Sequence, residues 1–119
     1  MAQHNDLGKE GEVLAINYLQ KNGYKIVEKN YRYKKAEVDI IAKKETVLVA
    51  VEVKTRTSGY FGNPQDFINP KKIKLLVSAI DFYVVENDLD VEVRFDIIAI
   101  IKNKNTTKIE HIEDAFLYF

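Results

Sequence analysis

The stretch from Glu37 to Arg56, "EVDIIAKKETVLVAVEVKTR", combines acidic and basic side chains with an aliphatic run that is typical of a buried strand. Asp39 stands near its start, whereas Glu52 and Lys54 stand near its end, two residues apart. Carboxylate oxygens suit Mg²⁺ and Mn²⁺, and a nearby lysine can orient or deprotonate a metal-bound water. These residue types therefore indicate a metal-dependent phosphodiesterase site.

The two-residue period of a β-strand predicts which side chains share a face. In the strand predicted over 46–54, one face carries Val47, Val49, Val51 and Val53, and the other carries Leu48, Ala50, Glu52 and Lys54. In the strand predicted over 36–42, one face carries Glu37, Asp39 and Ile41, and the other carries Val38, Ile40 and Ala42. If the polar "KKET" connection forms a hairpin, Asp39 faces Glu52 across a gap that fits one divalent ion.

A third acid comes from the helix predicted between Asp6 and Lys21, because Glu12 borders the apolar stripe of that helix. Burying an unpaired carboxylate is costly, so we expect Glu12 to face the sheet with a metal-bound water, a lysine or a backbone amide as partner. A simpler alternative for Glu37, Glu52 and Lys54 is a set of cross-strand ion pairs on a solvated sheet face. An "ExK" tripeptide alone does not separate the two interpretations.

The remaining elements follow from periodicity and turn residues. Strands are predicted over 24–33, 91–101 and 108–116, in addition to the two above. Asn69 and Pro70 are a cap and first residue typical of a helix start, and a loop over 55–67 flanks the acidic strand. The order α-β-β-β-α-β, with one further strand at the end, predicts an α/β fold. We expect one domain over residues 1–119 with a mixed sheet flanked by helices.

Composition limits the function further. The 119 residues include no cysteine, which excludes disulfides and thiolate metal sites such as zinc fingers. No apolar run is long enough for a signal peptide or a membrane span, so we expect a cytoplasmic protein without a membrane partner. With 18 basic and 18 acidic residues, any nucleic-acid binding must use local patches. Two stretches qualify, "YRYKK" over 31–35 and "NPKKIK" over 69–74, although ordinary surface charge is the alternative.

Several motifs occur in an order that resembles the PD-(D/E)xK, or restriction-endonuclease-like, nuclease superfamily. They are "LGKEGEVLAINYL", "NYRYKKAEVDIIA", "VAVEVKTR", "FGNPQDFINPKK" and "RFDIIAI". Within that superfamily the chain is similar to the small bacterial YraN-type family and to archaeal Holliday junction resolvases. One departure is Ala36, where relatives usually have glycine.

The resemblance implies Mg²⁺ or Mn²⁺ as cofactor and DNA, in particular branched DNA, as substrate. It makes Asp39 and Glu52 metal ligands, together with the backbone carbonyl of Val53, and makes Lys54 the catalytic lysine. It places Glu12 beside the metal, through a bound water. Glu37 matches a further acid of the pattern, for which a structural ion pair is an equal interpretation. Resolvases act as twofold dimers, so the resemblance is compatible with a homodimer.

The predicted nucleic-acid contacts are Arg32, Lys34, Lys35, Arg56, Lys71 and Lys72. Two other functions stay open. A binding module of the same fold that cuts nothing would use these basic residues without needing metal. A protein-interaction domain would use the aromatic residues Tyr60, Phe61 and Phe67, or the C-terminal "FLYF".

Three further titratable residues fall outside the predicted site. Asp96 is expected to pair with Arg94, a lysine or a backbone amide rather than with metal. His4 and His111 lie in polar surroundings without a ligand constellation, so both are expected at the surface.

Overall fold

The computed structural model describes residues 2–58 and 68–118, with side chains over 7–58 and 68–116. Its two helices are α1 (Ala2–Lys21) and α2 (Pro70–Glu86). Its strands are β1 (Lys25–Tyr33), β2 (Ala36–Lys44), β3 (Val47–Arg56), β4 (Glu92–Lys102) and β5 (Thr107–Ile112), and a 3₁₀ helix follows over Ala115–Tyr118. The predicted order of elements is confirmed, including the second strand after α2.

The five strands form one sheet in the order β1-β2-β3-β4-β5. Neighbouring strands are antiparallel except β3 and β4, which run parallel. A parallel pair needs a long crossover, and α2 supplies it. The predicted hairpin between the two acidic strands is confirmed, because β2 and β3 are joined by a short turn and pair directly.

A helix covers each face of the sheet. On one face, α2 residues such as Leu76, Ala79 and Ile80 pack with Val38, Ile41, Leu48, Ala50 and Ile97. On the other face, α1 residues Ala15 and Leu19 pack with Ile40, Ala42, Val49, Val51, Ile98 and Ile100. Because both faces are covered, the central strands read as continuous apolar runs, and a polar side chain within them is exceptional.

The start of α2 follows the predicted cap. Asn69 has an extended backbone and its side chain accepts a hydrogen bond from the Lys72 amide at 2.8 Å, while Pro70 occupies the first turn. This cap fixes the first turn of α2 next to the end of β3.

Strand β2 departs from the predicted alternation. Val38 and Ile41 both pack on the α2 side, whereas Ile40 packs on the α1 side. The prediction that Val38 and Ile40 share a face was therefore wrong. In the neighbouring strand, Asn30 lies between the partners of Val38 and Ile40 and adopts a φ of 52°. The sheet is thus irregular at the level of Asp39.

The last predicted strand is shorter than expected. β5 ends at Ile112 instead of continuing to residue 116. Asp114 has a φ of 53°, which turns the chain out of the extended conformation and into the 3₁₀ helix.

Candidate functional site

The candidate site lies where β2 and β3 separate. Their pairing runs from Lys44 opposite Val47 to Ile40 opposite Val51 and stops there. Beyond this point the Val53 amide donates a hydrogen bond of 2.9 Å to Oδ2 of Asp39. A carboxylate therefore joins the two strands where their backbone pairing has ended.

The second acid, Glu52, is only 5 % exposed and carries two lysine partners. Lys72, from the first turn of α2, donates a hydrogen bond to Oε2 of Glu52. The ammonium of Lys54 lies 3.7 Å from the same oxygen. Both lysine side chains keep more than a third of their surface exposed, so they link a buried carboxylate to solvent.

Asp39 is half-buried and its carboxyl is hard to ionise. Burial raises its pKa, the negative charge of Glu52 raises it further, and the hydrogen bond from Val53 lowers it. The charge of Glu12 raises it again and that of Lys72 lowers it, with a net pKa of about 7 instead of 3.8. The acids of this site therefore repel one another more than the nearby lysines compensate.

Helix α1 brings Glu12 into this group through a close approach to β3. A Cβ atom added to Gly11 would lie 1.9 Å from Oγ1 of Thr55, so only glycine lets the helix rest on the strand there. Glu12, the next residue of the helix, is half-buried, and its charge acts on Asp39. The charges of Glu12 from α1 and Glu52 from β3 thus both act on Asp39 of β2, at the open end of the β2–β3 pair.

The donors present suit a hard cation with few protein ligands. Among the side chains that the structure describes, over 7–58 and 68–116, no three His, Cys, Asp or Glu residues form a preassembled metal cage. Mg²⁺ commonly takes one or two carboxylates and completes its shell with waters and substrate oxygens. Asp39, Glu52 and the Val53 carbonyl offer oxygen donors only, and Glu12 adds a third carboxylate whose charge acts on Asp39. This set fits Mg²⁺ or Mn²⁺ better than a softer metal.

The predicted basic residues come to the same end of the sheet as the acids. This end is formed by the β1–β2 hairpin, the last residues of β3 and the first turn of α2, since β3 runs antiparallel to β2 and Lys72 reaches Glu52. The hairpin carries Arg32, Lys34 and Lys35, the end of β3 carries Arg56, and the first turn of α2 carries Lys71 and Lys72.

Two of these side chains and Glu37 have local partners. Arg32 Nε lies 3.4 Å from Glu37 Oε2, and both side chains are well exposed, so Glu37 forms a surface ion pair. The ammonium of Lys34 lies 5.3 Å from the centre of the Tyr33 ring. Lys72 was expected to be either a phosphate contact or ordinary surface charge. In the structure its ammonium also bonds the buried Glu52, which the sequence did not indicate.

A second polar cluster lies under α1, and the sequence predicted only its Asp96 part. His111 was expected at the surface, and this was wrong, because its side chain is only 7 % exposed. Its Nε2 lies 2.7 Å from Oδ2 of Asp96, and its Nδ1 lies 3.1 Å from the Tyr18 hydroxyl. The only sequence signal was the place of Asp96 directly before the apolar run over 97–101. The His4 side chain lies outside the described residues.

Asp96 is fully buried and fully paired. Arg94 donates two hydrogen bonds of 2.9 Å to it, and the Asp114 amide donates one of 3.0 Å, which confirms the predicted partners. Burial alone would raise the pKa of Asp96, but hydrogen bonds from His111, Arg94 and the Asp114 amide hold it below the ordinary value. Arg94 also donates to the Tyr24 hydroxyl at 2.6 Å, just before β1, while Tyr18 of α1 bonds His111, so the cluster ties β4 and β5 to α1 and to the start of β1.

The structure describes only some of the aromatic residues that the sequence suggested as an interaction surface. Tyr60, Phe61 and Phe67 fall outside the described residues. In the C-terminal "FLYF", Phe116 stacks on Phe95 with ring centres 4.9 Å apart and packs against the α2-side core. Among the described helices, none combines the length and apolar character needed to cross a bilayer.

Comparison with known proteins gives a consistent family match. The model of the uncharacterised protein family UPF0102 matches residues 11–100, a span that includes all three acids of the site. A UPF0102 protein of Christiangramia forsetii is 66 % identical over the full length of both chains, and one of Flavobacterium psychrophilum is 61 % identical, also over both full lengths. A UPF0102 protein of Bacteroides thetaiotaomicron is 47 % identical over 98 % of this chain and 96 % of its own.

Proposed function

The chain belongs to the uncharacterised protein family UPF0102, and from that premise we propose that it is a Mg²⁺- or Mn²⁺-dependent nuclease with a PD-(D/E)xK site. Branched or structured DNA is the proposed substrate. One observation carries the proposal: Asp39 lies half-buried among acids at the β2–β3 opening, where burial, and after it repulsion from Glu52 and Glu12, raises its pKa to about 7. A divalent cation would remove that repulsion, and hydrolysis of phosphodiesters is a reaction that such a cation promotes.

Each residue of the site has a proposed role. Asp39, Glu52 and the Val53 carbonyl would hold the cation, and Glu12 would orient a water beside it. When bound, the cation would stabilise charge on the phosphoryl oxygens and lower the pKa of the attacking water. The Val53 amide keeps the Asp39 carboxylate in place. Lys54 extends from Glu52 towards solvent, where it would orient or deprotonate the attacking water.

Substrate binding is assigned to the basic residues at the same end of the sheet. Because the net charge is zero, this local patch and not a global field would attract DNA. Its phosphate contacts predict an affinity that falls with rising salt. A homodimer with twofold symmetry would present two such sites to a junction.

The deciding experiment is calorimetric titration of Mn²⁺ into the wild type and into the Asp39→Asn and Glu52→Gln variants, with Glu37→Gln as control. The proposal requires that wild type and Glu37→Gln bind the ion and that the two site variants bind it weakly or not at all. A cleavage assay then compares a four-way junction with linear duplex of the same sequence. Unchanged Mn²⁺ binding in both site variants would reject the site.

The same experiment separates the alternatives. Salt-sensitive junction binding without a metal requirement and without cleavage would favour a binding module. Absence of both metal and DNA binding would favour a protein-interaction domain.

A further inference from the structure

Glu52 has a second cationic partner that the "ExK" motif does not explain. Lys54 belongs to the motif, but its ammonium lies 3.7 Å from Oε2 of Glu52. Lys72 comes from a different element, twenty residues further along the chain, and makes the closer contact with that oxygen. A buried carboxylate is therefore held mainly by a lysine that local sequence does not place beside it.

The position of Lys72 at the start of α2 is unfavourable for the helix itself. The first turn contains Lys71 and Lys72 and no acid, although the positive end of a helix dipole favours anions. The Asn69 cap bonds the Lys72 backbone amide and so fixes where its side chain begins. The contact with Glu52 offsets this charge repulsion, which indicates that Lys72 depends on an anion at the site.

Lys72 and a divalent cation would compete for the same negative charge. The carboxylate of Glu52 is one of the two proposed side-chain ligands, and Lys72 already bonds it. The positive charge of Lys72 also acts on Asp39, the other ligand. With 39 % of its side chain exposed, Lys72 has room to leave Glu52.

We propose that Lys72 is an exchangeable counter-ion of Glu52, which neutralises the carboxylate before a divalent cation binds and releases it when the cation arrives. The released ammonium is then available to pair with a phosphate of the substrate. This inference rests on the proposed function, and it assigns Lys72 a role distinct from that of Lys54.

The test is the Mn²⁺ affinity of Lys72→Met, measured by calorimetry beside Lys71→Met and Lys72→Arg. Lys71 is the matched control, because it is exposed, adjacent and equally charged. Removing a competing cation predicts Mn²⁺ binding roughly two- to tenfold tighter in Lys72→Met, the range expected for a partly buried ion pair. Lys71→Met should change the affinity less than about twofold. Lys72→Arg keeps a cation on Glu52 and should bind like the wild type.

Affinity in Lys72→Met that equals the Lys71→Met value, or is weaker, overturns the inference, since Lys72 would then only position Glu52. If the wild type binds Mn²⁺ through Asp39 and Glu52 but Lys72→Met leaves the affinity unchanged, only the proposed release of Lys72 is rejected. If wild type binds no Mn²⁺, the proposed function fails as well.

A second measurement does not depend on a variant that folds. In the wild type, nuclear magnetic resonance of ¹⁵N-labelled lysine ammonium groups follows Lys72 during titration with diamagnetic Mg²⁺. Exchange predicts that the Lys72 signal moves and gains faster hydrogen exchange with solvent, while that of the Lys71 ammonium stays unchanged. A Lys72 signal that stays in place at saturating Mg²⁺ contradicts the exchange.

Discussion

Asp39→Asn is expected to stabilise the folded protein at high pH. The asparagine side chain keeps an oxygen that can accept the Val53 hydrogen bond. The substitution removes a carboxyl whose pKa in the folded protein is about 7. Well below pH 4 that carboxyl is protonated in both the folded and the unfolded state, so it costs nothing. Between pH 4 and 7 the folded state binds more protons, and stability therefore falls as the pH rises. Above pH 7 the full penalty is present.

The size of the effect follows from the two pKa values. The ordinary value is 3.8 and the folded value is about 7. Each pH unit between them corresponds to about 1.4 kcal/mol, so ionised Asp39 lowers the free energy of unfolding by up to about 4 kcal/mol. We expect Asp39→Asn to recover about 2 to 4 kcal/mol at pH 8.5 and little at pH 4. Such a gain is typical of a site whose strain serves a function.

Urea unfolding in a metal chelator, at pH 4 and at pH 8.5, measures both values for wild type and variant. Glu37→Gln is the matched control, because it removes the same charge from the same strand at an exposed ion pair. It should change stability by less than about 1 kcal/mol at either pH. A stability difference between wild type and Asp39→Asn that is the same at both pH values would refute the assignment of a strained carboxyl.

Two further changes test how the site and the cluster under α1 are supported. Gly11→Ala would force a Cβ to within 1.9 Å of Thr55 Oγ1, so we expect a loss of about 1–3 kcal/mol and weaker Mn²⁺ binding as α1 lifts from β3. Asp96→Asn should cost about 3 kcal/mol at pH 7, because Arg94 loses its buried charged partner and keeps only the exposed Glu113, 3.8 Å away. Hydrogen bonds hold the pKa of Asp96 low, so its stabilisation is present above about pH 4 and lost as the pH falls through the folded value.

Each of these changes has a control in the same chain. Gly8→Ala, on the same helix with no atom within 4 Å of the added Cβ, should stabilise by up to about 1 kcal/mol. Equal melting temperatures for Gly8→Ala and Gly11→Ala would contradict the close approach of α1. Asp90→Asn, at an exposed position, should change stability by less than about 0.5 kcal/mol. An Asp96→Asn variant as stable as Asp90→Asn would show that the cluster contributes little.

Local sequence was enough for the elements and for part of the site. Periodicity, the Asn69 cap and short polar turns predicted the order of helices and strands, because these signals act within a few residues of the chain. The alternation of β3 also placed Glu52 on the face of Leu48 and Ala50, since that strand is regular.

Tertiary structure decided the rest, because the deciding contacts join residues far apart in the chain. Val38 and Ile40 of β2 lie on opposite faces of the sheet on either side of Asp39, which no count along β2 can reveal. The start of α2 carries Lys72 to Glu52, and the pairing of β5 with β4 buries His111 against Asp96. Charges repel or pair according to distance in space, so the pKa of Asp39 and the partner of Glu52 depend on how the elements pack.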